Sequence, residues 1–267
     1  ADALIAPTNA RSITSEGLFG VLVALALAPT SGLFTATVAL GVTVAAAGAA
    51  AAAPAGRTRR SRFRPRRGAS SRERFHRMKL AAIQMVSTPD VARNLDTAAR
   101  LLAQAAAEGA TLAVLPEYFC LMAQRDEDKL TMAEPPGDGP IQRFLAAQAQ
   151  QHGLWLVGGT LPLRDPACAP GHVRNSCGVY APDGRLAARY DKIHLFAFAA
   201  AGEQYDEGRV LEAGSEPVAV QAGALRVGLS VCYDLRFPEL YRALMRPPCD
   251  VLSVPAAFTY TTGQAHW

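Results

Sequence analysis

The sequence predicts an α/β protein, and this prediction depends on how the chain is patterned after Met78. From that residue onward, short apolar runs alternate along the chain with amphipathic segments that have helical spacing. The apolar runs end at Pro, Gly or polar residues, as strands buried in a layered protein do. Residues 1–77 lack this alternation, so we divide the chain into an extension, 1–77, and a folded domain, 78–267.

The first half of the domain is predicted to alternate three strands with two helices. "KLAAIQM" is a strand, and "NLDTAARLLAQAAAEGA" is a helix whose apolar residues share one face and which stops at Gly109. "TLAVLPE" is a strand ended by Pro116, and "IQRFLAAQAQQHG" is a second helix. "LWLVGGTL" is the third strand, in which Gly158 and Gly159 would permit a close backbone approach.

The second half is predicted to begin with a hairpin. "NSCGVYAPDGRLAARYDKIHL" supplies its two strands, and Pro182, Asp183 and Gly184 supply its turn. "PVAVQAGALRVGLSV" reads as two further strands around Ala222 and Gly223. A helix, "PELYRALMR", and a strand, "CDVLSVPAAF", complete the alternation.

The extension has an apolar part followed by an arginine-rich part. Gly17–Gly56 contains no charged residue, and Leu33–Ala53 is long enough to cross a bilayer as a helix. The arginines that follow would then place the domain in the cytoplasm. The alternative, which we favour, is an unstructured or artefactual low-complexity segment, because the first methionine of the chain is Met78.

Charge and cysteine content narrow the class of protein. The net charge is +4, but residues 57–77 carry ten arginines and one glutamate, which leaves the rest of the chain near −5. The folded domain is therefore not expected to bind nucleic acid. The five cysteines are irregularly spaced and form no C-x-x-C pair, so we expect reduced thiols in the cytoplasm instead of a disulfide framework or a zinc site.

Three polar residues stand where predicted strands end. Glu117 follows "TLAVLP", Lys192 lies in "RYDKIHLF", and Cys232 follows "VGLSV". Each alone is compatible with a structural role. Together they could act on a carbonyl group, because a cysteine attacks as its thiolate and needs a base such as Glu117. Lys192 and the backbone N–H of Tyr233 could then stabilise an oxyanion.

The segments around these residues resemble a known family. "AVLPEYF", "RYDKIHLF" and "GLSVCYDLRFPELYRAL" are similar to the three signature regions of the nitrilase superfamily of carbon–nitrogen hydrolases, in the same order. The resemblance extends over Met78–Trp267 and is strongest to small amidases that act on ω-amides of 2-oxo acids and on deaminated glutathione. It implies a four-layer α-β-β-α sandwich and, at full length, a homodimer.

The resemblance also implies roles for individual residues. Glu117 corresponds to the general base, Lys192 to the oxyanion-stabilising lysine and Cys232 to the nucleophile, with Glu207 as a second glutamate that orients the lysine. The implied reaction hydrolyses a small-molecule carboxamide to an acid and ammonia through a thioester, without a cofactor or metal. Arg236 is the nearest candidate for binding a substrate carboxylate.

Several alternatives remain at this point. An ion pair of Arg236 with Asp234 or Glu239 is the interpretation that we favour over substrate binding. Nitrile or N-carbamoyl hydrolysis would use the same three catalytic residues, and a non-catalytic relative would use none. Family domains continue beyond the position of Trp267, so we expect a C-terminally incomplete sandwich, inactive or poorly soluble alone, with an unpaired strand edge near Val251–Ala257.

Overall fold

The computed structural model describes residues 20–27, 35–39, 79–200 and 203–258. The strands within these ranges are β1 Gly20–Leu27, β2 Thr35–Ala39, β3 Lys79–Ile83, β4 Leu112–Val114, β5 Trp155–Val157, β6 Leu161–Leu163, β7 Arg174–Tyr180, β8 Leu186–Asp191, β9 Ala197–Ala200, β10 Glu203–Asp206, β11 Ala219–Ala222, β12 Leu225–Leu229 and β13 Val251–Phe258. The helices are α1 Val91–Ala107, α2 Asp126–Met132, α3 Pro140–His152 and α4 Pro238–Leu244, together with short 3-10 helices at Glu207–Arg209 and Cys232–Arg236.

Every strand and helix predicted after Met78 is present, with three differences. The segment "LWLVGGTL" belongs to two strands, β5 and β6, because the chain turns at its glycine pair. The helix α2 was not predicted, since it has no buried residue and therefore no apolar face for the sequence to reveal. The β9–β10 hairpin was not predicted either, because its first strand is short and alanine-rich.

Two main sheets and one hairpin make up the β-structure. In the larger sheet β2, β3, β4 and β5 run parallel, and β7 continues the sheet antiparallel to β5. The strands β6 and β8 both pair with β7. The smaller sheet has the order β1-β13-β12-β11, with β12 and β13 parallel. The strands β9 and β10 pair only with each other among the described residues.

Alternate residues of the larger sheet pack in two different hydrophobic clusters. In β3, Ala81 and Ile83 belong to a cluster that contains the buried faces of α1 and α3. Leu80 and Ala82 point the opposite way and belong to a cluster with buried residues of the smaller sheet and with Leu240 of α4. The fold is therefore a mixed α/β fold with helices and sheets in layers, while the complete four-layer sandwich stays a prediction.

Two strands come from the predicted extension. The strand β1 pairs antiparallel with β13 along its whole length, and β12 occupies the other edge of β13. The predicted unpaired edge near Val251–Ala257 is therefore wrong.

Residues 20–27 and 35–39 also correct the expectation of an unstructured segment. The rest of 1–77, including most of Leu33–Ala53 and the arginine run, lies outside the described residues. Within the described ranges, no helix combines the length and the apolar character needed to span a bilayer.

Gly159 lets the loop after β5 approach the loop after β4. Its φ of +59° is in the left-handed region, and a methyl group at this position would overlap the carbonyl oxygen of Pro116. The following residue, Thr160, accepts a hydrogen bond from the backbone N–H of Tyr118 at 2.9 Å. The close approach predicted for the glycine pair is thus confirmed, and it fixes the backbone on both sides of Glu117.

Replacing Gly159 by alanine is expected to destabilise the fold by roughly 3 kcal/mol or more, because strain at positive φ adds to overlap with a rigid backbone atom. The matched control is Gly171→Ala, since Gly171 has a φ of +80° but nothing within 4 Å of an added methyl group. The control should cost about 1 kcal/mol. Urea unfolding of both variants measures the difference, and equal losses would contradict the steric argument.

Candidate active site

The candidate site is a cavity of about 1290 Å³ at the ends of several strands. Glu117 follows β4, Lys192 follows β8, and Cys232 lies just beyond β12. The cavity wall contains all six residues that the sequence singles out: Glu117, Lys192, Glu207, Cys232, Tyr233 and Arg236. Residues that lie up to 119 positions apart in the chain therefore share one cavity.

The Glu117 carboxylate is buried and held by three hydrogen-bond donors. Its Oε1 accepts from Nδ2 of Asn175 at 3.0 Å and from Nζ of Lys192 at 3.0 Å, and its Oε2 accepts from the backbone N–H of Ala257 at 2.9 Å. Burial raises the pKa of Glu117, the positive charge of Lys192 works against this, and the charge of Glu207 adds to it. The result is a fixed carboxylate that is more basic than usual.

The Lys192 ammonium lies between two carboxylates. Its Nζ donates to Oε1 of Glu117 at 3.0 Å and to Oε2 of Glu207 at 2.8 Å, and only 1% of the side chain is exposed. Burial alone would lower the pKa of Lys192, but the negative charges of Glu117 and Glu207 outweigh burial and raise it. Lys192 therefore remains a cation inside the cavity.

The Glu207 carboxylate is held in place from three sides. Its Oε1 accepts from the hydroxyl of Tyr118 at 3.0 Å, and its Oε2 accepts from Lys192 and from the backbone N–H of Phe196, each at 2.8 Å. Burial raises the pKa of Glu207, but the positive charge of Lys192 and the hydrogen bonds from Lys192 and from the N–H of Phe196 lower it by more, so the net shift is downward. Glu207 and Glu117 thus have pKa shifts in opposite directions, which suits a permanent anion beside a proton acceptor.

Cys232 begins a 3-10 helix at the turn that follows β12. Its φ of +48° is unusual for a residue with a side chain, and its exposed fraction is 8%. Burial and the negative charge of Glu117 raise the pKa of its thiol well above the usual value, although Lys192 and the N–H of Ala257 oppose this. The resting thiol is therefore protonated and needs a base before it can attack. The N–H of Tyr233 lies at the start of the same helix, where N–H groups lack acceptors within the helix.

The ion pair that we favoured for Arg236 is wrong. Asp234 is buried and accepts hydrogen bonds from His194, and Glu239 pairs with Arg242 at 3.3 Å. The exposed Arg236 lines the cavity and makes no ion pair with any described residue. Its guanidinium is therefore available to a molecule in the cavity.

Three groups of the site were not predicted from the sequence. Asn175 is the amide donor to Glu117, and a signal for it existed, since an Asn inside an otherwise buried strand needs a polar partner. Tyr118 directly follows Glu117, but nothing in the sequence indicates that it reaches Glu207. The N–H of Ala257 could not be found at all, because every residue other than proline carries such a group.

The described part of the chain contains neither a disulfide bond nor a cluster of side chains arranged to bind a metal ion. All five cysteines are free thiols. No cluster of three or more His, Cys, Asp or Glu side chains there is arranged to hold a metal ion.

The mixed α/β fold and the buried Glu, Lys and Cys at its strand ends define a class of protein, that of the nitrilase-type hydrolases. Residues 79–267 match the family described as carbon-nitrogen hydrolase, and the chain belongs to this family. The resemblance inferred from the three signature segments is thereby confirmed.

The similar proteins include named amidases. The chain is 40% identical over 190 residues to deaminated glutathione amidase of Synechocystis sp., covering 70% of this chain and 69% of that protein. It is 34% identical to omega-amidase NIT2 of Homo sapiens, covering 71% and 67%. Among solved structures, Nit3 of Saccharomyces cerevisiae, a member of branch 10 of the nitrilase superfamily, has a TM-score of 0.59 at 30% identity, covering 68% and 64%. The chain therefore spans about two thirds of the length of these relatives.

Proposed function

We propose that this protein hydrolyses a linear carboxamide to a carboxylic acid and ammonia through a thioester on Cys232. The observation that carries the proposal is the convergence of Glu117, Lys192 and Cys232 in one cavity, with Nζ of Lys192 3.0 Å from the Glu117 carboxylate. These groups supply a base, a cation and a nucleophile, which together meet the requirements of acyl transfer.

In the first half of the reaction, the thiol of Cys232 attacks the amide carbon while Glu117 accepts the thiol proton. The raised pKa of Glu117 favours this transfer, since burial makes its carboxylate a better proton acceptor. The amide oxygen becomes an oxyanion that Lys192 and the N–H of Tyr233 stabilise. Glu117 then returns the proton to the amide nitrogen, the carbon–nitrogen bond breaks, and ammonia leaves behind a thioester.

In the second half, water attacks the thioester carbonyl while Glu117 accepts a proton from the water. The second tetrahedral intermediate collapses, the carbon–sulfur bond breaks, and the proton returns to the Cys232 sulfur as the acid departs. Glu207 keeps a negative charge throughout because its pKa is lowered, so it holds the Lys192 ammonium without competing with Glu117 for the proton.

The substrate that we propose is an amide that also carries a carboxylate, such as an ω-amide of a 2-oxo acid or deaminated glutathione. The names of the two relatives at 40% and 34% identity support this class. Arg209 and Arg236 line the cavity, and neither has a carboxylate partner among the described residues. A substrate carboxylate at the cavity mouth would complement these cations. Free thiols are compatible with a cytoplasmic reaction.

Replacing Arg236 by methionine tests the carboxylate contact. The variant is expected to raise KM for 2-oxoglutaramate about tenfold, because one charge-assisted hydrogen bond is lost, and to leave KM for a neutral amide such as propionamide unchanged. The matched control is Arg242→Met, whose side chain is exposed and pairs with Glu239 outside the cavity wall. Equal changes in KM for both amides would contradict the assignment.

The reaction itself is tested by ammonia release from 2-oxoglutaramate and from deaminated glutathione, combined with rapid acid quenching and intact-mass analysis. A transient mass increase located on the peptide that contains Cys232 would support the thioester. A pre-steady-state burst of ammonia with no acyl adduct on the Cys232 peptide would contradict covalent catalysis.

A further inference from the structure

Asp234 is a buried carboxylate for which the proposed reaction gives no role. Its exposed fraction is 0%, and it lies two residues after Cys232. Its Oδ1 accepts from the backbone N–H of His194 at 3.0 Å and from Nδ1 of the same residue at 2.7 Å. Its Oδ2 accepts from the backbone N–H of Val231 at 2.8 Å and from the hydroxyl of Tyr190 at 2.7 Å.

These four donors replace the water that a carboxylate loses on burial. Among the described residues, neither Lys nor Arg lies within ion-pair distance of Asp234. A buried charged group is tolerated only when its hydrogen-bonding capacity is satisfied, and these four contacts, two on each oxygen, satisfy that of Asp234. Nδ1 of His194 must carry a hydrogen here, because a carboxylate oxygen can only accept.

The donors come from two separate segments of the chain. Tyr190 and His194 lie on either side of Lys192, and the backbone N–H of Ile193 donates to the Tyr190 hydroxyl at 3.3 Å. Val231 immediately precedes Cys232, whose φ of +48° is a conformation that residues with side chains avoid. The Asp234 carboxylate therefore connects the segment that carries Lys192 to the turn that carries Cys232.

Packing around the imidazole supports a fixed arrangement. The His194 ring stacks on the Phe237 ring with centroids 3.6 Å apart and an interplanar angle of 7°. Phe237 in turn contacts the Tyr233 ring at 5.4 Å, and Tyr233 lies in the cavity wall. The same histidine is thus held by a hydrogen bond on its ring edge and by a stacked ring on its face.

We propose that Asp234 is a positioning residue that fixes the separation between the Lys192 ammonium and the Cys232 thiol. It touches neither the substrate nor the reacting atoms, and it acts by joining the two segments that present them. This inference rests on the proposed function, in which Lys192 and Cys232 act on the same carbonyl group. Catalysis by groups held in this way falls steeply when their separation changes by about 1 Å.

The replacement Asp234→Asn tests the proposal with little change of shape. An asparagine keeps one acceptor oxygen but presents an NH₂ group where Val231 or His194 also presents N–H donors, so at least one donor loses its partner. We expect kcat for an amide substrate to fall about 100-fold with KM changed by less than about threefold. The rate constant for alkylation of Cys232 by iodoacetamide should fall about tenfold, since it depends on activation of the thiol.

Asp250→Asn is the matched control. Asp250 accepts from the backbone N–H of Arg226 at 2.8 Å near the start of β12, at the end of the strand remote from Cys232. This variant should lower Tm without changing the alkylation rate constant of the folded protein. If the role of Asp234 were purely structural, Asp234→Asn would also lower Tm without changing the alkylation rate constant. An Asp234→Asn protein that is alkylated at the parental rate therefore overturns the proposal.

A second variant covers the case in which Asp234→Asn does not fold. Tyr190→Phe removes one of the four donors and leaves the ring in the core. It should slow alkylation about threefold, and an unchanged rate would also overturn the proposal. The alkylation assay needs no substrate, so it tests Asp234 even if no amide is turned over. If no amide is turned over, the proposed function fails, while the alkylation rates still decide whether Asp234 positions Cys232.

Discussion

Replacing Cys232 by alanine is expected to lower the rate of ammonia release from an amide substrate by at least about 10⁴-fold, to the background of the assay. The proposed thioester requires the sulfur, and no other described cysteine lies in the cavity wall. Glu117 and Lys192 would remain in place, but water activated by Glu117 would have to attack an amide directly. An amide is a much less reactive acyl compound than a thioester, so the residual rate should be small.

The control for this variant is Cys249→Ala. Cys249 is also buried, and its thiol contacts the carbonyl oxygen of Leu244 at 3.0 Å in the hydrophobic core. Its loss should cost about 1 kcal/mol of stability and leave the amidase rate within about twofold of the parent. Cys232→Ala should retain the parental circular dichroism spectrum. Ammonia release at the parental rate by Cys232→Ala would eliminate the proposed mechanism.

The fold was predictable where local chemistry determines the element. The helix α1 follows from apolar residues at helical spacing that stop at Gly109. It begins earlier than predicted, at Val91, where the Asp90 carboxylate caps it by accepting from the N–H of Arg93 at 3.1 Å. The hairpin of β7 and β8 follows from its turn sequence. The helix α2 escaped prediction because it has no buried residues and therefore no apolar face, which leaves little beyond its acidic first turn to mark it. The pairing of β1 with β13 depends on contacts between distant segments, which no local pattern encodes.

The meeting of Glu117, Lys192 and Cys232 in one cavity was predictable from the sequence, whereas the hydrogen-bond partners of Glu117 were not. A polar residue at the end of a buried strand stands out against its apolar neighbours, as Glu117, Lys192 and Cys232 do. The opposite pKa shifts of Glu117 and Glu207 arise from distances in space, chiefly those to Nζ of Lys192. Glu117 lies in a turn and Glu207 begins a short 3-10 helix, and neither position reveals its surroundings, so their different environments could not be inferred from the sequence.

Replacing Lys192 by methionine is the second change with a large expected effect, and it should affect stability and activity together. The variant leaves Glu117 and Glu207 buried without the cation that lies 3.0 and 2.8 Å from them. Breaking a buried ion pair by removing one partner costs about 3–5 kcal/mol near neutral pH. Activity should fall at least about 10³-fold, because the oxyanion loses its charged donor.

The stability loss should depend on pH in a defined direction. In the parent, Glu207 has a lowered pKa, so its stabilising contribution is present above its unfolded pKa and is lost as pH falls through the folded pKa. In the variant, burial without a cation raises the pKa of both carboxylates, so stability is fully present below their unfolded pKa and is lost as pH rises. The deficit of the variant should therefore be smaller at about pH 5 than at about pH 8.

Urea unfolding of parent and variant at both pH values measures this difference. Arg143→Met is the control, because Arg143 pairs with Asp138 at the protein surface and lies outside the cavity wall. Its removal should cost about 1 kcal/mol or less at either pH, since solvent screens an exposed pair. A Lys192→Met deficit of the same size at both pH values would mean that Glu117 and Glu207 are not the groups that Lys192 neutralises.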